Sequence, residues 1–196
     1  MTAAFQTPRQ PEHPVSPMFI DRWSPRAFTP EPMTAEDMLT ILEAARWAPS
    51  SSNRQPWRFV WALRGEAGFD AIAGALNPSN RDWAQHAAAL VVLASRTTVM
   101  RDDQEVVNGA HAFDTGTAWG HLALQAHLNG FASHAMGGFD AVALVAAVAL
   151  PANHALHAVV ALGRRGDPAT LPEGQRLREV PNGRVPLSDV ARRGRF

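Results

Sequence analysis

The chain has 196 residues, 46% of them hydrophobic and 18% charged, with 18 basic side chains against 18 acidic ones. That is the usage of one globular domain with a single buried core, and a formally neutral chain carries no electrostatic footprint for a nucleic-acid partner. There is no cysteine, which excludes disulfides, thiolate nucleophiles and thiol metal sites, and every basic residue is arginine. Without lysine there is no Schiff base and no Walker-type phosphate lysine, so any anion is held by arginine, hydroxyls or backbone amides.

In chain order, residues 1–18 are proline-rich and read as a loose arm with no apolar core of signal-peptide length. Thr34 with Asp37 makes a capping-box start for a helix through Trp47, with Met38, Ile41, Leu42 and Ala45 on one face. Residues 57–63 read as a strand, 65–76 and 82–88 as short helices, and 89–94 as a buried strand. A long helix over 113–128 carries Trp119, Leu122 and Ala126 on one stripe and stops at Asn129-Gly130. A strand over 131–135, a helix over 140–149 and a last interior strand over 155–162 follow. The apolar run 141–162 is interrupted by Pro151, Asn153, His154 and His157, which suits a helix and strand better than a membrane span. Helices distributed among strands predict a layered α+β domain over 19–163, and with no targeting segment read in the sequence the cytoplasm is the expected location. Residues 164–196 change character, to Pro, Gly and Arg, and predict an arm that wraps a neighbouring subunit.

Two segments carry chemistry. Arg22-Trp23-Ser24-Pro25-Arg26 offers two guanidiniums and a hydroxyl that could surround one phosphate, in a backbone that Pro25 pushes away from the helical region. Taken alone, five such residues are more often a solvated basic loop. The run Pro49 to Trp57, with Ser50, Ser51, Ser52, Asn53 and Gln55, is by itself equally a loop closing the preceding helix. Other chemistries find no footing: there is no Gly-x-Ser-x-Gly, His-Glu-x-x-His, Gly-x-Gly-x-x-Gly or Walker pattern, so no metal and no Rossmann-type dinucleotide turn is expected.

Together the two segments resemble the flavin site of the FMN-dependent nitroreductase family. The stretch 21–28 is similar to the family's N-terminal signature and 44–59 to its second signature. Asp114 to Gly130 is similar to the central helix, Met136-Gly137-Gly138-Phe139-Asp140 to a flavin-facing turn, and 181–187 to a C-terminal arm. The resemblance implies a three-layer fold with a central mixed sheet flanked by helices, and a homodimer with flavin sites at the interface. It also implies NADH or NADPH as electron donor and a ping-pong reaction with a small acceptor such as a quinone or nitroaromatic.

By the same resemblance, Arg22, Trp23 (through its backbone), Ser24, Arg26 and Arg184 would hold the FMN phosphate and ribityl chain. Pro49, Ser50, Ser51 and Asn53, with Gln55 beside them, would reach the flavin from the other subunit. Asn80 would approach the ring edge, and Met136, Gly137 and Gly138 would line the isoalloxazine near N5. No side chain is assigned as an acid or base. The chain departs from the family where lysines are common near the flavin pyrimidine and in the arm, having Trp83 and Asn182 there, and where an acidic residue is common, having Gly137. Alternatives on the same fold are flavin storage, dehalogenation or flavin fragmentation; a cofactor-free interaction protein is the alternative from another class.

Overall fold

A computed structural model describes residues 9–196. A four-stranded sheet in the order β1-β2-β6-β5 forms its centre, built from β1 (Trp57–Leu63), β2 (Ala89–Arg96), β5 (Ala132–Met136) and β6 (His154–Gly163). Every pairing in it is antiparallel, so the expected mixed sheet is corrected. The central strands β2 and β6 are almost continuously apolar because both of their faces are covered. Leu90, Val92, Val159 and Ala161 meet α3 (Ala67–Gly74), α4 (Pro78–Ala84) and α6 (Ala141–Ala147) through Phe69, Ile72, Trp83 and Leu144. Val91, Leu93, Val160 and Leu162 meet α2 (Ala35–Arg46) and α5 (His111–Leu128) through Met38, Ile41, Leu122 and Ala126. Alternation along a strand sends successive residues to opposite faces, and the result is the three-layer α+β architecture.

Local signals decide most boundaries. Thr34 caps α2, its hydroxyl accepting from Asp37 N at 3.0 Å while the Asp37 carboxylate accepts from Thr34 N at 3.1 Å. Gly130 closes α5 at φ +77°, where a side chain would be strained. The helix expected over 82–88 instead starts at Pro78, whose ring presets the first helical turn and whose missing N–H would have had no partner there. A hairpin of β3 (Thr98–Arg101) and β4 (Gln104–Val107) was not expected; it turns on Asp102 and Asp103, both at positive φ.

The C-terminal segment first runs along its own domain. Thr29 N donates to Arg164 O at 2.9 Å, Gly166 N to Ala27 O at 2.8 Å, and Leu171 is buried. Two short helices follow, α7 (Glu173–Arg176) and α8 (Leu187–Val190), and beyond Asn182 the apolar side chains Val185, Leu187, Val190 and Phe196 are exposed. At the other end α1 (Pro17–Asp21) precedes the arginine motif, while residues 1–8 of the expected arm lie outside the described residues. No described helix is long and apolar enough to cross a membrane.

Replacing Thr34 with Ala removes the acceptor of the Asp37 N–H at the start of α2, and should lower stability by about 1 kcal/mol in urea titration with an unchanged denaturant slope. A loss below a few tenths would mean that packing of Met38 and Ile41 alone fixes this helix start.

Candidate functional site

The arginine motif follows α1 in extended backbone, with Arg22 at φ −67° and ψ 126°. Arg22, Trp23, Ser24 and Arg26 line a cleft of ≈ 210 Å³ together with Arg9, His134, Arg178, Val180, Asn182 and Arg184. The N-terminal motif and the C-terminal arm thus meet. Glu179 joins them: its buried carboxylate accepts from Arg26 N at 2.6 Å and Ala27 N at 2.9 Å. The Arg26 guanidinium stands 3.7 Å from the other carboxylate oxygen, a charge contact and not a hydrogen bond. Arg26 is therefore largely compensated inside the protein. Sequence reasoning missed Glu179, which has no motif of its own beyond lying shortly before the arm.

The other four guanidiniums have no such partner. Among the described residues none of Arg9, Arg22, Arg178 and Arg184 forms an ion pair. Arg22 donates only weakly to Ser24 Oγ at 3.4 Å, and Arg9 donates to Arg22 O at 3.0 Å. Arg184 donates to the carbonyls of Gly183 and Asn182. Burial, then the charges of Arg9 and Arg184, lower the pKa of Arg22; burial, then Arg184, lower that of Arg9, against a smaller opposing pull from Asp21. Mutual repulsion of this kind is relieved by an anion, and a phosphate matches guanidinium forks bidentately.

The cleft opens through Arg22, Ser24 and His134 into a groove of ≈ 520 Å³ lined by Phe19, Trp119, Gly120, Ala123, Leu124 and Ala135. His134 closes one wall, its Nδ1 3.0 Å from Pro25 O and its ring 4.7 Å from that of Trp83, which also stacks with Phe28 at 6.2 Å. Trp83 is thus a core residue at the position where family lysines are common, and brings no charge to the site. From His134, β5 leads to the glycine turn, where Gly138 O accepts from Asn80 Nδ2 at 3.0 Å and Asn77 N at 3.1 Å. A Cβ on Gly138 would lie 2.7 Å from Asn80 Nδ2, so glycine is what lets the asparagine close in. Gly137 faces open space, whereas the Met136 side chain is buried in the core and leaves only its backbone for a ligand.

The Pro49–Gln55 segment lines neither the cleft nor the groove. It sits at the N-terminal end of α5, where Ser51 N donates to buried Asp114 at 3.2 Å, and the groove residues begin one to two turns further along that helix, at Trp119. Within the segment Gln55 N donates to Ser50 Oγ at 3.0 Å, and Ser52, Asn53 and Gln55 all adopt positive φ, a concentration of backbone strain typical of functional loops. Pro49, Ser51, Asn53 and Gln55 are exposed.

Residues 20–164 match the model of the nitroreductase family. The chain superimposes on a crystal structure described as an oxidoreductase containing FMN, with TM-score 0.94 and 45% identity over 96% of each chain. It is also similar to a putative nitroreductase in complex with FMN from Desulfovibrio desulfuricans, with TM-score 0.74 and 25% identity over 95% of this chain and 99% of that one. A putative NADH dehydrogenase/NAD(P)H nitroreductase of Rhodopseudomonas palustris is 28% identical over 150 residues, 68% of this chain and 76% of its own. The family match and these similarities define the class, an oxidoreductase enzyme. The chain belongs to the nitroreductase family.

His134 also links the site to stability. Burial lowers its pKa more than the Pro25 carbonyl raises it, and Arg26 adds to the lowering. The folded protein therefore binds fewer protons here than the unfolded chain, so the contribution is present above the unfolded value of about 6.5 and is lost as pH falls below it. The melting temperature should drop as pH falls below about 6.5, and His134→Gln should make that drop shallower. An unchanged slope in the variant would assign the effect to His154 and His157, whose values burial also lowers.

Proposed function

We propose that the protein is an FMN-dependent oxidoreductase that passes hydride from NADH or NADPH to a small oxidised acceptor, such as a quinone or nitroaromatic, by a ping-pong route through one shared face. The observation that carries this reading is the set of unpaired guanidiniums around Arg22, Ser24 and Arg184, which fits a terminal phosphate. When bound, FMN supplies the hydride chemistry, with each substrate taking its turn beside the ring.

The residues divide the work by position. Arg22 and Arg184 hold the phosphate from two sides, with Ser24 as a hydroxyl donor and the Trp23 backbone beside them; Arg26, tied to Glu179, lends charge and fixes the motif. Asn80 and the backbone of Met136, Gly137 and Gly138 serve the ring. The exposed Pro49, Ser51, Asn53 and Gln55, with half-buried Ser50, serve the site of a second subunit. A homodimer is supported by that loop's exclusion from its own cleft and by apolar side chains left in solvent: Phe113 on α5 is 81% exposed and Trp47 at the end of α2 is 71% exposed.

Replacing Arg22 or Arg184 with Ala should weaken FMN about ten- to a hundredfold, the worth of a charge-assisted contact, as read by flavin fluorescence quenching. Riboflavin, which lacks the phosphate, should bind wild type and Arg22→Ala alike. Arg58→Ala, remote from this cleft, is the control. Equal losses for both flavins would mean that Arg22 supports the fold and not the phosphate.

Sedimentation should show twice the 21.2 kDa chain mass. Truncation before Pro181 should weaken both association and flavin binding; a monomer that retains FMN would contradict the shared site.

A further inference from the structure

A second cationic cleft, of ≈ 180 Å³, lies on another side of the molecule, between the start of β1, the end of β2 and the β3–β4 hairpin. Arg54, Arg58 and Arg96 line it, with Thr98 and Asn108. Three guanidiniums here answer to one carboxylate. Arg96 stands 3.4 Å from Glu105, while Arg54 donates only to Asn108 Oδ1 at 3.1 Å and Arg58 only to the carbonyls of Gln55 and Trp57. Glu105 is further engaged by Thr98 and Asn153, so it cannot neutralise the other two.

Two buried donors on residues that line this cleft meet no acceptor among the described residues: Arg96 Nε and Asn108 Nδ2. Asn108 is completely buried, and its side-chain oxygen is already used by Arg54 and Ala110 N. Unfilled donors in a buried asparagine are unusual in a native structure and ask for a partner. The field has the same sign: after burial itself, Arg58 and Arg96 lower the pKa of neighbouring His154.

We propose that Arg54, Arg58, Arg96 and Asn108 form an anion-binding subsite that holds a phosphate or carboxylate group of a substrate. Arg54 directly follows the 3-10 turn Ser51–Asn53 of the strained loop. Resting on the proposed function, in which this loop serves the flavin site of the second subunit, the subsite adjoins that site and shares no residue with the Arg22 cleft of its own subunit. It would anchor the charged part of a substrate whose reducible or oxidisable part reacts with the flavin. The two sources of such a group are the phosphates of the dinucleotide donor and a carboxylate on the acceptor.

The side-chain amide of Asn108 gives a local probe that needs no flavin. In 1H–15N spectra of the full-length protein, inorganic pyrophosphate or 4-nitrobenzoate should shift that amide saturably, and Arg58→Gln or Arg96→Gln should weaken binding about tenfold, as loss of one charge-assisted contact does. Sodium chloride should weaken it as well. In turnover with FMN-loaded protein, the same substitutions should raise KM for NAD(P)H if the dinucleotide is the source. They should raise KM for 4-nitrobenzoate and not for nitrobenzene if the acceptor is. FMN affinity should not change in either variant, Arg58 being exposed enough that folding is not at stake. An Asn108 amide unmoved by both anions, or moved equally in wild type and Arg58→Gln, overturns the subsite. Loss of FMN binding in wild type would overturn the functional reading and leave the amide titration intact.

Discussion

The carboxylate of Glu179 is the join on which the arginine cleft depends. It binds two consecutive backbone amides of the N-terminal motif, at Arg26 and Ala27, from a position 153 residues further along the chain. A buried carboxylate is costly unless its oxygens are filled, and two amides with a guanidinium alongside meet most of that need. With Glu179 seated, Arg178 and Arg184 on either side of it in sequence are brought against Arg22, which no local propensity would arrange. The same contact compensates Arg26, so that Arg9, Arg22, Arg178 and Arg184 are left with charge to offer a ligand.

The antiparallel sheet and α5 set the distances between the other parts. Because β2 and β6 are covered on both faces, β5 and its glycine turn can only continue outward at the sheet edge, where Asn77 and Asn80 at the start of α4 close on Gly138. Helix α5 crosses the opposite face and presents two different surfaces along its length. Its first turn holds Ser51 through Asp114, and its middle lines the groove beside Arg22. One subunit therefore carries the Pro49–Gln55 loop and the arginine cleft at separate places along this helix.

Electrostatically the molecule is neutral as a whole and uneven in detail. Eighteen acidic residues balance eighteen arginines in number, yet the Arg22 cleft and the Arg54–Arg58–Arg96 cleft each hold guanidiniums in excess of carboxylates. A net charge of zero thus says nothing of local fields, which depend on where the chain brings its charges. The absence of lysine sharpens this, since a guanidinium keeps its charge when half-buried among its own kind where an ammonium would release its proton.

Much of the layout was legible in the sequence because it rests on short-range rules. The capping pair Thr34 and Asp37, the α2 stripe of Met38, Ile41 and Ala45, the apolar runs of β2 and β6 and the Asn129-Gly130 stop all act within a few residues. The β3–β4 hairpin escaped because its exposed strands carry no burial period and its Asp102-Asp103 turn lacks glycine. The arginine motif at Arg22 and the glycine turn are singled out only by resemblance to a family, since by themselves they read as a basic loop and an ordinary turn. What sequence could not supply was which arginines are already paired. That Arg26 belongs to Glu179, that Trp83 is core, that Met136 offers only its backbone and that Arg54, Arg58 and Arg96 converge are results of contacts between distant segments, made only when the chain closes on itself.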